Sequence, residues 1–291
     1  MKWLMTALLF LLAASVPCHA QADPHVFTVQ SDENLEFARE LCLAALAAAG
    51  VEARFSLFPM AHPKRLNAEL ASGNLSLAFL PPDEDSSALE NQGYVKPLKV
   101  PLDRGLLGYR ICLVRDEDAD LLQNVRNADD LKRIRIGQGA SWGDIKVYQE
   151  AGIEVVEAPF SSVSDPMKAL ASRYYDALPL GVDEYRFFLQ SYHKEAPGIT
   201  ADRHIAISYP WNRYVWISTV AKDSKLLQES LDKGFEIIAA NGQFEAIYAK
   251  FKDAEPRKQL MGRRIIRLQN AHSTPEDVDP RFRHLIIQAP G

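Results

Sequence analysis

Cysteine is scarce: three occur in 291 residues, too few for a disulfide framework to stand in for a hydrophobic core. Basic residues are outnumbered, with 33 Lys and Arg against 38 Asp and Glu, a formal net charge of -5 and a pI near 5.8. A nucleic-acid-binding chain normally carries a basic footprint, so no nucleic-acid partner is expected. Neither a fixed-period repeat nor a low-complexity tract occurs, which excludes solenoids and collagen-like arrays. The histidines His25, His62, His193, His204 and His272 lack metal-ligand spacing. There is no G-x-S-x-G elbow, and the glycine loop at Gly139 lacks the Lys-Ser/Thr of a phosphate-binding loop. Metal, cofactor and enzymatic activity are therefore not expected.

What is present is enough apolar material, 47% of the chain against 24% charged, for one large core or two modest ones. Lys2 precedes an apolar run from Trp3 to Val16, followed by Pro17, Cys18, His19 and Ala20, with small residues where a signal peptidase reads them. This predicts a secretory leader cleaved after Ala20 and a periplasmic product. The run is shorter than the roughly 20 residues that cross a bilayer, and Pro17 before Cys18 makes a poor lipid-attachment site. Cys42 falls on an apolar helix face and Cys112 in an apolar strand, so buried free thiols are expected in preference to a bridge.

Val26–Gln30 reads as a strand, and Leu35, Ala38, Leu41, Cys42, Ala45, Leu46 and Ala49 recur at helical spacing until Gly50. A second strand spans Val51–Leu57, a helix surrounds Arg65 to Leu70, and a buried strand covers Leu75–Leu80. Strand and helix alternation of this kind predicts parallel βαβ units. After an extended Leu106–Arg115 and an acidic linker, the pattern restarts. Ile134–Gln138 enters Gly139-Ala140-Ser141-Trp142-Gly143-Asp144, then come helix Ile145–Ala151, Val155 and Val156, helix Pro166–Ser172 and strand Ala177–Leu180. Tyr214–Ala221 is a further strand, followed by helices carrying Leu227 to Ile238 and Phe244 to Phe251. The tail from His272 reads as extended and surface-bound. Two α/β lobes are predicted.

Three passages in this order resemble the periplasmic solute-binding proteins of family 3. They are Asn127–Gly139 (NADDLKRIRIGQG), Tyr175–Tyr185 (YDALPLGVDEY) and Leu226–Phe251 (LLQESLDKGFEIIAANGQFEAIYAKF). The resemblance implies an α/β, type II two-lobed fold, each lobe a mainly parallel sheet flanked by helices and joined by hinge strands. It places lobe 1 at 21–112 and 210–291 and lobe 2 at 113–209. The implied function is reversible binding of a small polar ligand between the lobes for transport or sensing, by a monomer whose partner is an inner-membrane permease or sensor. The match is closest to a divergent stand-alone branch, with the late Arg-rich strand at Arg263–Leu268. Leu180 stands where that branch carries an Arg, and Pro81-Pro82-Asp83-Glu84-Asp85 replaces the turn that precedes the carboxylate-binding Arg of amino-acid receptors.

The Gly139–Asp144 loop leads from strand to helix, where unpaired N–H groups and the positive end of the helix dipole can hold an anion, and by resemblance Ser141 and Trp142 touch the ligand; alternatively Ser141 is an N-cap and Trp142 packs between lobes. Asp183 and Glu184 lie near the family's acidic contact for an amino group, or serve as first-turn helix charges. Asp32 and Glu33 follow the first strand at its carboxyl end, where open sheets place ligands, or serve as first-turn helix charges. Asp83 in the acidic loop, Met60 and His62 after the second strand, Tyr109 in the hinge strand, and Tyr209 and Trp211 complete the candidates. A lyase or hydrolase using Asp183 or Glu184, and an interaction module without a ligand, remain alternatives.

Overall fold

A computed structural model describes residues 23–59, 63–140, 142–158, 162–252 and 256–287. The chain begins with β1 (His25–Gln30), α1 (Glu36–Ala48), β2 (Ala53–Phe58), α2 (Pro63–Ser72), β3 (Leu77–Leu80), α3 (Glu84–Asn91) and β4 (Val95–Leu98). It continues through β5 (Tyr109–Arg115), α4 (Ala128–Leu131), β6 (Ile136–Gly139), α5 (Ile145–Glu150), β7 (Val155–Ala158), α6 (Asp165–Ala171), β8 (Leu178–Gly181), α7 (Tyr185–Tyr192), β9 (Ile199–Ala201) and β10 (Ile205–Ser208). It closes with β11 (Tyr214–Ser218), α8 (Ser224–Ala240), α9 (Gln243–Phe251), α10 (Pro256–Leu260) and β12 (Arg264–Arg267).

In the first lobe β1 and β2 pair in parallel. β3 adjoins β1 through Ser76 N–H to Thr28 O at 2.9 Å, and β11 lies antiparallel between β3 and β4. The second lobe is also mixed: β6 pairs with β7 in parallel and bridges to Ala177 beside β8, while β5 runs antiparallel to β8, β9 and β10. The antiparallel members β5 and β11 are the strands that arrive from the other lobe and so enter each sheet from its opposite end.

The apolar face of α1 buries Phe37, Ala38, Leu41, Cys42, Ala45 and Leu46, as its 3.6-residue spacing requires. It packs against α8 so closely that a Cβ on Gly234 would stand 1.9 Å from the Ala45 carbonyl oxygen. Cys42 and Cys112 are buried and unbridged, and burial pushes both thiols well above their ordinary pKa. The Pro81–Asp85 stretch, read as a loop, opens α3, with Asp83 as N-cap exchanging bonds with Ser86. No helix among the described residues is long and apolar enough to cross a membrane; the predicted leader lies outside those residues.

Two findings alter the reading of residues 210–291. β12 pairs in parallel with β10, so this strand of the tail belongs to the second-lobe sheet. Beyond it, the segment expected to be extended and surface-bound forms two short 3-10 turns, with Val278 between them and Phe282 and Leu285 in the second all fully buried. Their apolar side chains anchor it to the first lobe, where Asp279 N–H bonds Lys99 O at 3.2 Å and Ile287 N–H bonds Arg104 O at 2.9 Å. Three of the segments that pass between the lobes are stitched together by Tyr209 N–H to Gly108 O at 3.0 Å and Asn270 Nδ2 to Pro210 O at 2.8 Å.

Candidate functional site

A cleft of about 210 Å³ lies between the lobes where these segments cross. The first lobe lends Gln30, Asp32, Asn34, Leu66, Phe79 and Pro81, the second Trp142, Asp144, Leu180, Glu184 and Phe188, and the crossings Leu107, Arg110, Trp211 and Arg213.

Arg110 is the organising residue. It is the second position of β5 in an otherwise apolar run, and its side chain is 6% exposed. Its Nε donates to Tyr209 Oη at 2.8 Å, its Nη2 lies 3.1 Å from Asp144 Oδ2 and its Nη1 3.6 Å from Glu184 Oε2. Tyr209 in turn donates to Asp144 Oδ2 at 2.9 Å. Burial opposes the guanidinium charge, yet Tyr209, Asp144 and Glu184 outweigh it and hold the pKa above its usual value. Glu184 also meets Arg213 Nη2 at 3.4 Å. Burial pushes the Glu184 carboxyl up, but Arg213, Arg110 and Lys252 together pull it below the ordinary range.

The opposite wall is built from the end of β1. The Gln30 amide bonds the Phe79 backbone in both directions, at 2.9 and 3.4 Å, and is fixed there. Asp32 Oδ1 accepts the Asn34 N–H at 3.0 Å, and Arg39 holds the Asp32 backbone carbonyl at 2.7 Å. Burial raises the Asp32 pKa, against the Asn34 N–H and the charge of Arg213.

Of the sequence candidates, Asp32 and Trp142 meet across this cleft, with Trp211 and Glu184 beside them. Gly139 stands behind Trp142; a Cβ there would fall 2.5 Å from the indole, so glycine makes the room for the ring. Asp83 lies at the contact between lobes, 3.7 Å from where a Cβ on Gly143 would be. Its neighbour Glu84 pairs with Lys146 of the second lobe. Asp183 points away from the cleft: its side chain is 1% exposed, 3.4 Å from Lys252, whose ammonium lies 4.8 Å from the Phe37 ring centre. Tyr109 is half-buried next to Arg110 and is not a wall residue. Tyr209 lies under the Arg110 guanidinium, 5.5 Å from its ring centre. Met60, His62 and Ser141 lie outside the described residues.

Sequence reasoning passed over Arg110 and Arg213. The available signal was an arginine inside or beside an apolar strand (Tyr109-Arg110-Ile111-Cys112-Leu113-Val114, Arg213-Tyr214-Val215-Trp216), since such a charge is rarely buried without partners. Among the described residues no cluster of His, Cys, Asp and Glu suits a metal ion.

No protein-family model matches the chain, and no curated protein does. Solved structures do. An ancestral arginine-binding protein superposes with a TM-score of 0.52 at 18% identity over 78% of this chain and 97% of that one. The arginine-, lysine-, histidine-binding protein of Geobacillus stearothermophilus gives 0.52 at 14% identity over 80% and 98%. A histidine kinase sensor domain similar to periplasmic binding proteins gives 0.56 at 16% identity over 79% and 97%. This chain has the two-lobed periplasmic binding protein fold. At such identities the likeness is one of fold, and the structures sharing it are solute-binding proteins and sensor domains. In this two-lobed fold the cleft with Asp32 on one side and Trp142 on the other is the space between the lobes.

Proposed function

We propose that the protein is an exported solute-binding protein that reversibly captures one small polar ligand between its lobes. The observation carrying this reading is the cleft itself: both lobes and the crossing strands contribute walls, mostly apolar, with a few convergent polar groups, as small-molecule sites require. Binding proteins of this fold include receptors for arginine and sensor domains, so uptake and sensing both fit. A permease and ATPase encoded beside this gene would favour uptake. A binding role fits the site better than acid catalysis, because Glu184 is held ionised by Arg213 and Arg110 and a general acid must keep its proton at working pH.

The test is a thermal-shift panel of amino acids, polyamines, sugars and organic acids. A ligand at a hundred times its Kd should stabilise by roughly 2.7 kcal/mol, and Trp142→Ala should weaken that response. A panel without any response, or a response indifferent to changes in the cleft, would remove the reading. Export is tested separately: the periplasmic protein should begin at Gln21.

A further inference from the structure

Among the residues that line the cleft, three carboxylates, Asp32, Asp144 and Glu184, face two guanidiniums, Arg110 and Arg213; outside the lining, Arg39 holds the Asp32 backbone carbonyl at 2.7 Å and Lys252 acts on Glu184. Both lining guanidiniums already serve the chain's own groups. Arg110 is occupied by Tyr209, Asp144 and Glu184 at 2.8, 3.1 and 3.6 Å. Arg213 holds Glu184 at 3.4 Å, and the charged groups acting on it are Glu184, Asp103, Asp183 and Asp32, all carboxylates. Behind the wall, Asp183 has Lys252 at 3.4 Å, while among the described residues the Asp103 carboxylate takes only backbone N–H groups, from Arg213 at 3.1 Å and Gly105 at 3.3 Å.

Asp32 differs from the others. Among the described residues it forms no ion pair; its one side-chain bond is from the Asn34 N–H. It is half-buried on the cleft wall; Arg213 and Arg39 offset part of the cost of its burial, but neither pairs with it directly, and low dielectric makes a charge without a paired partner costly. The surfaces facing it are large and apolar, among them Leu66, Phe79, Leu180, Phe188, Trp142 and Trp211.

Resting on the solute-binding reading, we propose that the ligand is an organic monocation with an apolar or aromatic body and no carboxylate, its ammonium seated against Asp32. Such a ligand supplies a paired positive charge for Asp32, and its body covers the leucines and the indoles, whose ring faces also attract a cation. A carboxylate-bearing ligand would add a fourth negative charge to the wall. To be held by a guanidinium it would have to compete with Glu184 for Arg213 or displace a partner of Arg110, leaving a buried carboxylate unpaired.

Matched ligand sets test this by calorimetry and thermal shift: phenethylamine, phenethyl alcohol, hydrocinnamate and phenylalanine, and the aliphatic series hexylamine, hexanol, hexanoate and norleucine. The amine of at least one series should bind about tenfold or more tightly than its alcohol, the scale of one charge-assisted hydrogen bond, and the acids should give no shift. Asp32→Asn keeps an oxygen for the Asn34 N–H and should erase the preference for amine over alcohol; Asp32→Ser, another N-capping residue, serves if the first variant melts early. If an acid or amino acid binds as tightly as its amine, or the preference survives both substitutions, the inference is overturned while the cleft remains a ligand site. If neither series nor the broader panel gives any response, the solute-binding reading falls and this inference with it.

Discussion

In the first lobe β3 reads Leu-Ala-Phe-Leu and β11 Tyr-Val-Trp-Ile-Ser, every residue buried, against helices that contribute further hydrocarbon. In the second lobe and its crossings the same kind of sheet carries charge. The buried charged residues among those described are Asp103, Arg110, Arg115, Asp144 and Asp202, and all fall between the end of the first lobe's opening half and the return crossing. Arg115 satisfies its guanidinium with Leu170 O, Tyr175 O and Asp118 at 3.0, 2.7 and 2.6 Å. Asp202 caps the His204 and Ile205 N–H groups at 3.0 and 2.8 Å. Apolar burial is non-directional and indifferent to pH. Buried ion pairs are costly to desolvate, but they orient what they hold. The first lobe therefore offers a largely apolar wall, and the second lobe with its crossings fixes the direction of Arg110, Asp144 and Glu184 at the cleft.

The comparison breaks most directly at Arg110. Arg110→Met should cost about 3–5 kcal/mol, because Asp144 and Glu184 lose their shared partner in a buried setting; chemical unfolding would measure it, and a cost below about 1 kcal/mol would show that the second lobe does not depend on its charges. In the first lobe Leu41→Ala, at a fully buried position, should cost about 2–5 kcal/mol. That cost should be the same in low and high salt and from pH 5 to 8, a range over which buried charges respond.

Asp103 sharpens the contrast through pH. Burial raises its pKa from 3.8 to about 7, against the pull of Arg213. The folded state then binds a proton that the unfolded state releases at lower pH, so this group's contribution is full below about 4 and is lost as pH rises through about 7. Asp103→Asn should flatten the fall of stability over that window, a difference of a few kcal/mol at the alkaline end; melting temperatures of both proteins from pH 4 to 8 that run parallel would refute it. Trp142→Ala, in the cleft wall, should leave the fold intact and remove roughly 1 kcal/mol or more of ligand binding, whereas a ring that serves as core would cost roughly 3–5 kcal/mol of stability. The smallest effect belongs to Lys146→Ala. Both it and Glu84 are well exposed, at 49% and 68%, and such a pair contributes at most about 1 kcal/mol.

Much of this was legible in the chain. The face of α1 was readable because its apolar spacing is a local property. The passage from β6 to α5 was readable because glycines and a helix start share one short segment, whereas the place given to Trp142 came with the family resemblance. The 3-10 turns of the tail were not legible, because Val278, Phe282 and Leu285 are spaced like loop residues and acquire meaning only from the surface they meet. Asp183 and Glu184 are adjacent in sequence with the same first-turn chemistry, yet one lies behind the wall with Lys252 and the other faces the cleft with Arg213.

The sequence by itself determined the alternation of strands and helices and the free buried thiols of Cys42 and Cys112, since these follow from side chains a few residues apart. Only the tertiary structure decided that β12 joins the second sheet, and which charges are matched: Arg110, Asp144, Glu184 and the Tyr209–Arg213 stretch are four separate segments that meet only where the chain crosses between lobes. Periodicity acts along the chain, whereas the compensation of buried charge acts through space at a few ångströms, so the ligand's complement could be read only after the crossings were in place.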